Sequence, residues 1–151
     1  MIIPSVVSCI RRLQFSAGHR VYGHEGKCAH LHGHNYVVYF HAVARELDFI
    51  GRVIDFSILK EILGGWIDTH WDHGMLLYTK DPIKHLYRDT EQLLDMKLYI
   101  CEFNPTAEEL AKALLFIAND LLTDYRIRIH KVVLYETENC YAEVEAGEIR
   151  L

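Results

Sequence analysis

Cys28-Ala29-His30-Leu31-His32-Gly33-His34-Asn35-Tyr36-Val37-Val38-Tyr39-Phe40 is the stretch on which the reading of this chain turns. From His32 to Ala44 it is rich in Tyr, Val and Phe, the composition of a strand. Successive strand side chains point to opposite faces, so His32 and His34 share a face, about 7 Å apart along the strand. Two imidazoles placed this way can converge on one small cation. The candidate third ligand is His19, which closes the alternation Leu13-x-Phe15-x-Ala17. If that strand pairs with the one from His32 to Val43, His19 arrives on the same face. Three His with an open fourth position form the catalytic kind of zinc site, whereas four closed ligands form the structural kind. The plain alternative is a polar, His-rich loop. Strand register and the apolar run that follows at once favour the metal. His30 has the same parity as Cys28, His32 and His34. It is a competitor ligand on that ground, and is read as a loop or outer-sphere residue.

Outward from this stretch, 151 residues suit one domain, 1–151, with a real core. Half the residues are hydrophobic and the net charge is -5, as in a globular, soluble protein. Lys and Arg are scattered, without the basic stripe of a nucleic-acid module. Ten His are many for this length and hint at metal or acid–base chemistry. Cys9, Cys28, Cys101 and Cys140 form no CxxC pair and no disulfide framework. Met1–Ile10 is too short and wrongly flanked for a signal peptide, and no apolar run approaches a membrane span. The expectation is a cytoplasmic, reduced protein that does not engage a membrane. Three of the cysteines read as small hydrophobes. Cys28 differs because it adjoins the proposed cation, which would favour its thiolate.

Val6–Ala17 and His32–Ala44 read as strands. Asp55 is a plausible N-cap for a helix with Ile58, Leu59, Ile62 and Leu63 on one stripe. Gly64-Gly65 should weaken or end it, leaving Trp66–His70 as a separate turn. Met75–Phe103 is the least legible part, with Leu98–Cys101 a short extended piece. Thr106 and Glu109 fit a capping box for a helix to about Asp124. Ile127–Thr137 and Tyr141–Glu145 read as further strands. The order ββααββ predicts an α+β fold: a four-stranded antiparallel sheet with two helices on one face. So few strands leave edges that need partners, which points to a homo-oligomer.

Three further groups bear on chemistry. Asp72-His73 is a carboxylate–imidazole pair competent for proton transfer if it lies at a turn; otherwise it is an ordinary helix end. Glu136 continues the apolar face of Val132 and Leu134, where a carboxylate is costly unless paired. A ring with two adjacent N–H donors, such as a 2-amino-4-oxo pyrimidine, would pair it; the alternative is a solvated Glu just past the sheet. Thr106 and Glu108 are fully explained by capping and the helix dipole.

Phe15-x-Ala17-x-His19-Arg20, Cys28-x-x-x-His32-Gly33-His34-Asn35-Tyr36, Gly51-x-Val53-x-Asp55-Phe56, Asp72-His73, Pro105-Thr106-Ala107-Glu108 and Tyr135-Glu136-Thr137 follow one another in this order. Together they resemble the 6-pyruvoyl-tetrahydropterin synthase family over nearly the whole chain. The Cys-x-x-x-His-Gly-His spacing is closer to its bacterial branch, the 6-carboxytetrahydropterin synthases of queuosine biosynthesis. The resemblance implies the tunnelling fold (T-fold), whose protomers join sheets into barrels as trimers or hexamers. It implies Zn2+ on His19, His32 and His34, a catalytic thiol at Cys28, and an Asp72–His73 catalytic pair. It also implies a pterin anchor at Glu136 and a pterin contact at Thr106. The implied substrate is 7,8-dihydroneopterin triphosphate, a small pterin triphosphate, processed by proton transfer, internal redox and triphosphate elimination. The nearest rival is the 6-pyruvoyl product of biopterin synthesis. From other classes, a metallo-β-lactamase-like hydrolase fails because Asn35 follows His34 directly, and a non-catalytic zinc-stabilised binding module is the non-enzyme alternative. Trp71, Gly74, Glu109 and the length of Tyr78–Ile100 depart from the family pattern without removing a catalytic group.

Overall fold

The computed structural model describes residues 6–87 and 96–147. Strands β1 (Ser8–His19) and β2 (His32–Ala44) pair antiparallel without a break, from Ser8 opposite Val43 to His19 opposite His32. Phe15 and Ala17 on β1, and Tyr36, Val38, Phe40 and Ala42 on β2, are buried at alternate positions, so the period-two pattern marks one core face. Strand β5 (Ile127–Thr137) pairs antiparallel with β2, and β6 (Cys140–Glu145) with β5.

The expected four-stranded antiparallel sheet requires correction. The described residues form six strands in the order β4-β3-β1-β2-β5-β6, because Gly74–Tyr78 (β3) and Leu98–Cys101 (β4) add to the free side of β1. Both new strands run parallel to β1. Strand β3 carries no alternation because Leu76 and Leu77, on opposite faces, are both fully buried. Two-sided burial is usual for a parallel strand and erases the period-two signal. Of the Tyr78–Ile100 stretch, 88–95 lies outside the described residues.

The helices cover the core face. Asp55 caps α1 (Phe56–Leu59) through the Ser57 N–H, as its position predicts. The chain then continues through a π-helical turn, Lys60–Gly64, into α2 (Gly65–His70), rather than stopping at the glycines. Two interior glycines cost about 2 kcal/mol relative to alanine. Burying Ile67 and Trp71 beyond them returns roughly 1.5–3 kcal/mol each, so packing outweighs propensity. Helix α3 (Ala107–Leu121) buries Leu110, Leu114 and Ala118 in the same core as Leu59, Leu63 and Ile67. Its capping box is only half made. Thr106 Oγ1 accepts the Glu109 N–H, but Glu109 pairs with Lys112, and the Thr106 N–H goes to the Asn104 carbonyl. The opposite sheet face bears an aromatic ladder, Tyr39–Tyr135–Tyr141, with ring centroids 6.0 and 4.5 Å apart.

Candidate metal centre and active site

Antiparallel pairing places His19 opposite His32 and Ala17 opposite His34, so three imidazoles meet at the end of the β1–β2 ladder, on the core face. Glu136 reaches the same point from β5, one step beyond the Val37–Tyr135 pair. One donor atom from each of His19, His32, His34 and Glu136 lies within 4.8 Å of all the others. His19 Nε2 is 3.0 Å from His32 Nε2 and 3.3 Å from Glu136 Oε1, and His34 Nε2 is 2.7 Å from the same oxygen.

The tautomers can be deduced. His19 Nδ1 donates to the Pro105 carbonyl and His32 Nδ1 to the His30 carbonyl, each at 2.7 Å. As neutral rings, both then present bare lone pairs at Nε2, facing each other across 3.0 Å. His34 Nε2 is buried and, although close to Glu136, is not aligned for a hydrogen bond. Desolvation pushes the His34 pKa down, with His19 and His32 adding to it against the pull of Glu136. The close contact with His19 leads in holding the Glu136 carboxyl below its usual range, despite burial. Two bare imidazole lone pairs, a third ring nitrogen and a carboxylate oxygen turned inward, with two rings locked by backbone carbonyls, are what a cation requires and what its outer sphere supplies. The residues therefore fit a metal ion, and three N donors with one O donor suit zinc among others. The fourth position, expected to be open, is where Glu136 Oε1 stands. Pro105 escaped sequence reading because its contribution is a carbonyl, which every residue has.

Asp72 and His73 do sit at a turn. His73 Nδ1 donates to Asp72 Oδ2 at 2.7 Å, and Asp72 Oδ1 accepts the Ser16 N–H at 2.9 Å. Burial raises the Asp72 pKa, but the bonds from Ser16 and His73 outweigh it and leave the carboxyl below its ordinary value. Among the described residues His73 is the non-glycine with positive φ, 57°, a conformation that costs about 1 kcal/mol or more and recurs at functional positions. Its side chain is 81% exposed. With Ser16, Ala17, Gly18, Gly33, His34 and Asn35 it lines a shallow pocket of about 390 Å³. Ser16 and Asn35 alternate with Ala17 and His34, and residues of both sets line the pocket, His34 of the imidazole cluster among them. The Asp–His pair is not among the four residues whose donor atoms converge at the imidazole cluster.

Cys28 stands half-buried on a 3-10 turn, Lys27–Ala29, directly before β2, and its carbonyl accepts the Val21 N–H. Its sulfur is outside the four-atom cluster. Thr106 is the N-cap of α3, beside the Pro105 carbonyl that orients His19. His30 acts through its own carbonyl on His32, an outer-sphere role. Two residues without a sequence signal hold this end together. Asn104 exchanges two hydrogen bonds with the Tyr22 backbone. Asp81, fully buried, takes a two-pronged bond from Arg20, whose third nitrogen reaches the Ala29 carbonyl at 3.4 Å.

The family profile described as 6-pyruvoyl tetrahydropterin synthase matches residues 8–147. A 6-carboxy-5,6,7,8-tetrahydropterin synthase of Rickettsia bellii is 36% identical over 143 residues, covering 92% of this chain and all of the relative. A solved structure of an uncharacterized protein from Wolinella succinogenes superposes with a TM-score of 0.83 at 23% identity, over 95% of this chain and all of that one. A 6-pyruvoyl tetrahydropterin synthase of Caenorhabditis elegans superposes at 0.68 with 22% identity, over 97% and 100%. The two superpositions speak to the fold alone.

Proposed function

This chain belongs to the 6-pyruvoyl tetrahydropterin synthase family, an enzyme family, and we propose that it is itself a zinc-dependent 6-carboxytetrahydropterin synthase acting on 7,8-dihydroneopterin triphosphate. The observation that carries this reading is the end-to-end relationship to the Rickettsia protein of that name. The 6-pyruvoyl alternative draws on the description of the family profile and on a structure at 22% identity, the latter speaking to the fold only. The deciding experiment is mass spectrometry of the product made by the zinc-loaded protein. A 6-carboxy product with triphosphate and a two-carbon fragment is expected. A 6-pyruvoyl product would overturn the assignment, and absence of turnover with intact pterin binding would favour a binding module.

His19, His32 and His34 would hold the zinc. Bound there, it supplies Lewis-acid stabilisation of negative charge on substrate side-chain oxygens. Glu136 accepts the adjacent ring N–H donors of the pterin in a bidentate pair. Thr106 keeps its hydroxyl hydrogen free for the pterin, since its oxygen serves the cap only as acceptor. Cys28, as thiolate, takes a carbon-bound proton. His73, held by Asp72 at Nδ1, presents Nε2 for a second proton transfer.

Because His73 is highly exposed and stands outside the imidazole cluster of its own protomer, the pair would serve the metal site of a neighbouring copy. The Tyr39–Tyr135–Tyr141 ladder, partly buried except at the exposed Tyr141, and the two edge strands of the described residues, β4 and β6, offer the joining surfaces. The working unit in this reading is a homo-oligomer, trimer or hexamer, of a single domain spanning 1–151 in the cytoplasm. No helix of the described residues is long and apolar enough to cross a membrane.

A further inference from the structure

Lys97 directly precedes β4, and its side chain is committed to the turn that carries Asp72 and His73. We propose that Lys97 is a positioning residue for His73: its ammonium fixes the backbone plane from which the imidazole is aimed at the substrate. The inference rests on the proton-transfer role given above to the Asp72–His73 pair and deepens it.

His73 needs support from outside its own segment. At φ 57° it occupies the left-handed region, uncommon for a residue with a Cβ and kept only where the surroundings over-determine it. The peptide between Asp72 and His73 is a rigid plane, so turning it changes ψ of Asp72 and φ of His73 together. That plane is held at both ends. The His73 N–H donates to the Ser16 carbonyl at 2.7 Å, and the Asp72 carbonyl accepts Lys97 Nζ at 2.7 Å. Strand β1 grips one end and the approach to β4 the other. Losing either grip leaves a plane that can turn, and the imidazole turns with it.

Helix capping does not account for this. Lys97 Nζ also donates to the Asp68 carbonyl at 2.7 Å, in α2, as cations do near helix C-termini. The Asp72 carbonyl, however, lies beyond the helix, which ends at His70. One ammonium thus ties the helix end to the turn. Lys97 braces the other side of His73 as well, because its own carbonyl accepts the Met75 N–H at 3.0 Å. Gly74 gives the lysine stem room: a Cβ there would stand 3.1 Å from Lys97 Cδ and 3.2 Å from its Cγ. Lys97 is exposed, and bonds made in contact with water add little to stability. What they add is placement, where an error of about 1 Å can cost on the order of a hundredfold in rate.

The test uses the zinc-loaded, full-length protein with 7,8-dihydroneopterin triphosphate. Lys97→Met, which keeps the stem without the donors, is expected to lower kcat roughly ten- to a hundredfold. KM and metal content should stay near native, since the imidazole cluster and Glu136 are untouched. Lys97→Arg, which restores charge and donors, should recover most of the loss. Adding Lys97→Met to His73→Ala should cost nothing further, because no imidazole is left to place. A second readout is independent of turnover. Ring 13C shifts of labelled histidine report the tautomer, and His73→Ala assigns the His73 signals. Native His73 should show the Nδ1–H form fixed by Asp72, and Lys97→Met should move it toward the mixture of a free imidazole. Native kcat in Lys97→Met would overturn the proposal. So would an equal loss with and without His73, or a loss of kcat with the His73 ring signals unmoved, either of which makes Lys97 merely structural. Native turnover in His73→Ala would instead overturn the proton-transfer reading, and this inference with it.

Discussion

Replacing Asp81 by alanine should destabilise the protein by roughly 3–5 kcal/mol, the usual cost of removing one partner from a buried ion pair. The Asp81 carboxylate is fully buried and accepts Arg20 Nε at 2.6 Å, Arg20 Nη2 at 2.5 Å and the Ile83 N–H at 2.9 Å. Two charge-assisted bonds at about 1.5–3 kcal/mol each give about 3–6 kcal/mol, an overlapping range. Alanine also strands an Arg20 side chain that is only 22% exposed. For a chain of this length the loss corresponds to a fall in Tm of roughly 6–20 °C. The assay is denaturant unfolding of metal-saturated native and Asp81→Ala proteins across pH. Burial raises the Asp81 pKa, but Arg20 and the Ile83 N–H outweigh it and hold the group below its ordinary value. A carboxyl depressed in the folded state stabilises fully above its unfolded pKa of about 4, and that stabilisation is lost as pH falls through the folded value. The gap between the two proteins should therefore be constant near neutrality and close below about pH 4. A difference under about 1 kcal/mol at pH 7, or a gap that widens in acid, would refute the reasoning. Because Arg20 follows His19 and reaches the Ala29 carbonyl next to Cys28, alkylation of Cys28 should also accelerate in the variant.

His32→Ala should lose metal and activity together, since two His rarely hold catalytic zinc; metal analysis of the purified variant checks this. Cys28→Ala should keep the fold and the metal while turnover falls on the order of hundreds to thousands-fold. Near-normal turnover, with labelling at Cys101 or Cys140 instead, would place the base elsewhere. If His73 of one protomer serves a neighbour's metal, two inactive proteins, Cys28→Ala and His73→Ala, should regain activity when unfolded, mixed and refolded together. A fully active monomer in sedimentation, or no recovery in verified mixed oligomers, would contradict that arrangement.

Much of the site was legible because β1, β2 and β5 each bury one face. Alternation alone aligns His19, His32, His34 and Glu136 with the apolar residues behind them. The caps at Asp55 and Thr106 are equally local, each a side chain bonding a backbone N–H two or three residues on. What the sequence could not disclose depends on segments distant in the chain. Strands β3 and β4 are short, parallel and without alternation, and exist as strands only because β1 offers them a free edge. The helix runs through Gly64 and Gly65 because Ile67 and Trp71 are buried beyond them. Arg20 and Asp81 are 61 residues apart, and nothing local pairs them. The carbonyls of His30 and Pro105 that set two imidazole tautomers belong to the backbone, whose hydrogen bonds carry no residue identity. Periodicity determined which side chains share a face. Only the closed tertiary structure decided that Glu136 meets the imidazoles, because a residue's face follows from its own strand and its neighbours follow from how strands are joined.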